Sequence, residues 1–424
     1  MKRRSPGAAL ASASAGTLIA ALVFGGACDR VAYYSITGST GAGPDDDGPS
    51  SAPSTIATGP TDVTRPMVLS GIATCAARLY GDVVDAAATF DSAAALFEAS
   101  PTEENETKAR AAWALTIGLW QQAEVLRVGP AGPATLPTGQ SLRDYVYSWP
   151  LVSRCLVEQS IVSQKYDDES FPIAGLINTR GLYAAEYLLF YEPSDNACSA
   201  SSSINTQGTW AQLGNQELAQ RKRAYAAVLA ADISDKTAAI HAGWTGSMGF
   251  GALLAGAGGG DSPFESDQSA LNAVSDGMFY IEKEVKDLKL GLPLGKTAEC
   301  PDTTCPNAVE SVYARVSRDH VRNNLVGFQR LFEGCDAASE AGFDDLLRTL
   351  GAGELAERMS TDIEAAIVTA DKLASADLGG LIERDQASVE EVHAAVKRIT
   401  DTLKTDFVTV LDLELPATVE GDND

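Results

Sequence analysis

The stretch Gly181-Leu182-Tyr183-Ala184-Ala185-Glu186-Tyr187-Leu188-Leu189-Phe190 decides how this chain is read. Leu182, Ala185 and Leu189 recur at helical spacing, strong helix formers dominate, and no Gly or Pro follows Gly181 until Pro193. The segment is therefore an amphipathic helix. Residues three apart share a face, which sets Tyr183 beside Glu186 with Cβ atoms roughly 5–6 Å apart. Nearly everything else on the helix is apolar. A carboxylate in such a run either reaches solvent at the edge of the stripe or has a partner, because burying it alone is costly.

Outward from this helix the apolar residues keep the same period. Helical patterns run over 66–99 and from an N-cap at Thr102 to Gly129-Pro130. They continue over 141–165 with a break at Trp149-Pro150, over 173–191, and from Thr209 to Gly243. Others follow at 267–290, 308–333, 342–350, 353–376 and 387–412, with Gly132–Gly139, Cys198–Thr206 and the glycine-rich Gly243–Pro263 as loops. No alternating strand pattern and no repeat of fixed period is present. The fold class expected is all-α, built from packed antiparallel helical bundles.

A formal charge of −25 argues against nucleic acid, whose phosphates need a basic face, and against peripheral docking on anionic lipid. Residues 1–27 have the form of a secretory leader: Lys2-Arg3-Arg4, an apolar run from Leu18 to Phe24, then Gly25-Gly26-Ala27 before Cys28. Small residues before a cysteine resemble a bacterial lipobox, which makes Cys28 the expected lipidation site and the membrane a partner through that anchor. Residues 28–62, rich in Gly, Ser, Thr, Pro and Asp, read as a disordered tether; 63–415 is the helical body, and 416–424 an acidic tail. Setting Cys28 aside leaves six cysteines in an exported chain. Cys300 and Cys305 form the preferred local pair, and Cys75, Cys155, Cys198 and Cys335 allow three pairings that remain open.

Familiar catalytic signatures are missing. Gly291-Leu-Pro-Leu-Gly295-Lys296-Thr297 lacks the first glycine of a phosphate loop, since Leu290 stands there, so no nucleotide is expected. Only three histidines occur, without HExxH and without Gly-x-Ser-x-Gly. Of these, His320 in Arg318-Asp319-His320-Val321-Arg322-Asn323-Asn324 is the best placed for a role.

Gly181-x-Tyr183-x-x-Glu186 resembles the Gly-x-His-x-x-Glu signature of the imelysin family, bacterial envelope proteins described first as peptidases and later tied to iron uptake. Trp113 to Trp120-Gln-Gln-Ala-Glu124-Val-Leu-Arg127-Val-Gly-Pro130, Tyr147-Ser148-Trp149-Pro150-Leu151, Leu292-Pro293-Leu294-Gly295, Glu310-Ser311, Leu325 to Gln329 and Leu403-Lys404-Thr405-Asp406 resemble further landmarks in the same order. The resemblance implies two bundles, near 63–200 and 205–415, with a polar site at their junction. Its ligand or metal-site candidates here are Tyr183, Glu186, Glu124, Arg127 and Trp149, with Glu124 and Arg127 pairing three apart along one helix.

Tyr183 departs from the signature. A phenolate suits ferric iron only if a cation lowers a pKa of roughly 10; otherwise the hydroxyl simply hydrogen-bonds. The expectation is a periplasm-facing, non-catalytic envelope lipoprotein that handles iron or another small ligand with iron-uptake partners. A metallopeptidase-like enzyme and a structural, partner-binding lipoprotein are the alternatives.

Overall fold

The computed structural model describes residues 62–171, 175–416 and 419. The leader, Cys28, the tether apart from Asp62, and most of the acidic tail lie outside the described residues. The described residues contain helices and turns and no strand, so the all-α expectation holds.

The main helices are α1 (Arg65–Ala99), α2 (Glu103–Ala123), α3 (Arg154–Ser163), α4 (Gly181–Phe190), α5 (Thr209–Trp244) and α6 (Asp267–Met278). A π-helix (Ile281–Gly291) follows, then α7 (Ser317–Glu333), α8 (Phe343–Thr349), α9 (Gly353–Asp371) and α10 (Leu378–Thr402). In α1 the buried side chains Val68, Leu69, Ile72, Cys75, Ala76, Leu79, Val83, Ala87, Phe90 and Ala94 keep three- and four-residue spacing, the pattern of a helix packed along one stripe. α1 packs along α2 and α5, α5 also covers α4, and α7 lies against α2 and α9. The π-helix packs on α10 and α7.

Several helices stop or start away from their expected ends. α2 ends at Ala123 with Glu124 as C-cap, six residues short of Gly129-Pro130. Gly129 has φ +59°, and a Cβ there would stand 2.5 Å from the Phe250 ring, so the chain turns where that ring presses in. The Gly243–Pro263 loop contains a helical turn, Phe250–Ala255, held by Phe250 packing edge-on to Trp244 at 4.8 Å. The expected helix 308–333 begins only at Ser317: Ser311 and Arg315 have φ near +57° and +59°, which an α-helix does not accept. At the C-terminal end, Asp377 caps α10 through its side chain, so the helix starts at Leu378, nine residues before the expected 387.

Three disulfides form: Cys300–Cys305 as expected, with Cys75–Cys335 and Cys155–Cys198 resolving the open pairings. Cys75–Cys335 ties α1 to the end of α7 across 260 residues of sequence.

Candidate functional site

α4 is fixed at its start by three contacts. Arg180, fully buried, pairs with Asp232 of α5, its Nε 3.1 Å from Oδ2. Gly181 has φ +77°, and a Cβ there would meet the Val146 carbonyl oxygen at 2.7 Å, so only glycine lets α4 approach the 143–146 turn this closely. Trp113 Nε1 donates to the Leu182 carbonyl at 2.9 Å. Held this way, Glu186 projects into the loop before α7. Its Oε1 accepts from the backbone N–H groups of Tyr313 (2.9 Å) and Ala314 (2.8 Å).

The second oxygen, Glu186 Oε2, is buried without a hydrogen-bond partner. Ser311 Oγ and both ring nitrogens of His320 share that condition. Burial pushes the Glu186 carboxyl up to about 7, against the opposing pull of the Ala314 N–H, His320, the Tyr313 N–H and Ser311. Tyr183 lies half-buried beside them, its ring 6.0 Å from that of Tyr313. Burial first and Glu186 second push its phenol above the ordinary tyrosine value.

Glu310, also buried, is tightly held. Gln121 Nε2 donates to its Oε1 at 3.0 Å and the Tyr147 hydroxyl donates to the same oxygen. Lys289 Nζ stands 3.0 Å and His320 Nδ1 3.2 Å from Oε2, both as charge contacts, since neither is aligned as a hydrogen bond. Lys289 in turn donates to Gln121 Oε1 (2.6 Å) and Asn324 Oδ1 (2.7 Å). Burial alone would raise the Glu310 carboxyl, but Lys289 and then His320 and Tyr147 outweigh it and hold it well below the usual carboxylate range.

The remaining candidates are arranged differently from the sequence expectation. Glu124 does not pair with Arg127. Because α2 stops at Ala123, the two residues lie beyond the last helical turn and do not share a face. Glu124 instead receives Arg143 (Nε 2.9 Å, Nη2 2.7 Å) and the Tyr280 hydroxyl (2.9 Å), while Arg127 pairs with Glu284 of the π-helix. Trp149 is buried, with Lys289 Nζ 5.9 Å from its ring centroid, and so walls the same polar interior. Tyr183, Glu186, Glu124 and Trp149 thus gather around one buried network; Arg127 stands at its edge. Gln121, Arg143, Tyr147, Tyr280, Lys289 and Asn324 also belong to that network, and sequence reasoning assigned them no role.

The donor set does not fit a bare metal ion. Among the described residues no group of three or more His, Cys, Asp or Glu side chains is placed to hold one. Glu310 is already engaged by an ammonium, and Glu186 gives one oxygen to two backbone N–H groups. What the cluster offers is hydrogen bonding from a carboxyl, a hydroxyl, an imidazole and a phenol.

An all-α body with a buried carboxylate network around a Gly-x-Tyr-x-x-Glu helix defines an imelysin-like class of protein. The Imelysin family profile matches residues 76–405, and the chain belongs to that family. It is 23% identical over 260 residues to iron-regulated protein A of Synechococcus elongatus, and spans about 60% of that relative's length and 60% of its own. Its fold is similar to a crystal structure of a candidate iron-regulated protein A precursor from Parabacteroides distasonis, with TM-score 0.64, 20% identity, and coverage of 82% of this chain and 95% of that one. It is also similar to an imelysin-like protein from Psychrobacter arcticum, with TM-score 0.60, 15% identity, and coverage of 84% and 99%.

Proposed function

We propose that this chain is a non-catalytic imelysin-family lipoprotein of the bacterial envelope that binds a small polar ligand at Glu186, Ser311 and His320, with Tyr183 beside them. Four buried polar atoms carry the reading: Glu186 Oε2, Ser311 Oγ, and the two nitrogens of His320, each without a hydrogen-bond partner. Leaving one such atom unpaired costs about 1–3 kcal/mol, and a bound molecule that supplies partners recovers that cost. Relatives named for iron regulation support a role tied to iron. The lipobox-like Gly25-Gly26-Ala27-Cys28 and the three disulfides support an exported, lipid-anchored chain facing the periplasm.

Native mass spectrometry of the full chain purified from its own cells tests the reading. The expected result is a small-molecule adduct released on denaturation and missing from His320→Ala. A bare chain in the wild type, or an adduct indifferent to His320, would overturn it.

A further inference from the structure

At the C-terminal end of α4 lies a second cleft. It has a volume of about 590 Å³ between the start of α2, the end of α4 and the first half of α5, in the size range of small-molecule sites. Phe97, Leu188 and Leu218 give it apolar surface, and Arg110, Lys222 and Arg223 bring three cationic groups to it, with Glu103, Glu106 and Glu192 at its Arg110 side.

These cations are not equivalent. Arg110 is engaged: its Nε donates to the Leu189 carbonyl at 2.8 Å, and it pairs with Glu106 (2.6 Å) and Glu192 (3.5 Å). Lys222 is 6% exposed, donates to the Tyr191 carbonyl at 2.7 Å, and sits 4.7 Å and 5.3 Å from the Tyr187 and Tyr191 ring centroids. The neighbouring Glu158 already accepts from Arg154, the Tyr187 hydroxyl and the Ala197 N–H. Arg223 lies over the Phe97 ring at 5.7 Å with its Nε buried and unpartnered. Among the described residues neither Lys222 nor Arg223 has a carboxylate within ion-pair distance. A buried cation without a counter-ion is costly, and an anion entering the cleft would relieve buried Lys222 while also pairing with the partly buried Arg223.

We propose that this cleft binds a small organic carboxylate, with its charged end between Lys222 and Arg223 and its apolar body against Phe97, Leu188 and Leu218. Burial first and Arg154 second push the Lys222 amine down to about 8, the direction expected of an ammonium that lacks its anion. The amine is still mostly charged at neutral pH. The apolar floor distinguishes such a ligand from a bare inorganic oxyanion, which would make no use of Phe97, Leu188 and Leu218.

Isothermal titration calorimetry of the full chain with benzoate, and with benzyl alcohol as its neutral counterpart, tests the assignment. The expected result is saturable benzoate binding that weakens roughly tenfold or more in Lys222→Met and in Arg223→Gln. Arg223 is only partly buried, so its variant gives a reading even if Lys222→Met fails to fold. No saturable binding, equal binding of benzyl alcohol, or undiminished binding in Arg223→Gln would overturn it.

Discussion

Glu186 and Glu310 are two fully buried carboxylates that share the neighbour His320, and they are treated in opposite ways. Around Glu310 the chain supplies an ammonium, a phenol and an amide, and the carboxylate is held charged. Around Glu186 it supplies two backbone N–H groups to one oxygen and nothing aligned to the other. The first is a structural clamp joining α2, the π-helix and the loop before α7. The second has no cation within ion-pair distance among the described residues, and it is the group to which the proposed ligand site is assigned. Aligned hydrogen bonds alone would not separate them, since each carboxylate has two on Oε1 and none on Oε2; the Lys289 ammonium 3.0 Å from Glu310 Oε2 does.

The contrast breaks most severely at Lys289. Lys289→Met leaves Glu310 charged and buried without its cation, so the expected loss is about 3–5 kcal/mol of unfolding free energy in urea denaturation. Glu186→Gln keeps an acceptor for the Tyr313 and Ala314 N–H groups and is expected to cost far less. Equal costs would mean that the two carboxylates have the same role.

Stability against pH sharpens the comparison further, because the two groups give slopes of opposite sign. Glu186 has a raised native pKa of about 7, so between the ordinary value of roughly 4.3 and 7 the native state holds a proton that the unfolded chain has released. Its contribution is fully present below that window and is lost as pH rises through it, by up to roughly 1.4 kcal/mol per pH unit. Glu310 has a depressed native pKa, so its contribution is present above the ordinary carboxylate range and is lost as pH falls below it. Denaturation at several pH values should show the first slope flattened in Glu186→Gln and the second in Glu310→Gln. The reverse assignment would contradict the electrostatic account.

The smallest expected effect on stability, though not on chemistry, comes from Tyr183→His. A second imidazole beside Glu186 and His320 adds the donor that the family signature carries, and calorimetric titration with Zn²⁺ should show binding absent from the wild type. No gain would mean that Tyr183 and Glu186 do not open on a common space.

Much of this was legible from sequence, and the failures have physical causes. The period of α1, the Thr102 cap of α2, the Trp149-Pro150 break and the Cys300–Cys305 pair were all readable because each is a local property. Tyr183 and Glu186 were legible from their spacing. Lys289 was not, because nine residues separate it from Tyr280, two and a half turns of α-helix, which puts the two on opposite faces. With i→i+5 bonding, at roughly 4.4 residues per turn, the same nine residues make about two turns, and Lys289 Nζ comes 5.3 Å from the Tyr280 ring. The Glu124–Arg127 pairing failed for a related reason, since it presumed a helix through Arg127 and α2 ends at Ala123, four residues earlier. Gln121 and Asn324 carry no motif at all; only packing α7 on α2 makes Asn324 Nδ2 donate to the Gln121 carbonyl oxygen and to its Oε1, each at 2.8 Å.

The most direct test of the central claim, that Tyr183 lines a hydrogen-bonding ligand site and is not a ferric ligand, is an iron analysis with a visible absorption spectrum. The full chain would be purified without chelators, exposed to ferric citrate and desalted. The account expects no phenolate-to-iron charge-transfer band, and the same iron content in wild type and Tyr183→Phe. Stoichiometric iron with such a band, lost in Tyr183→Phe, would contradict it and make Tyr183 an iron ligand.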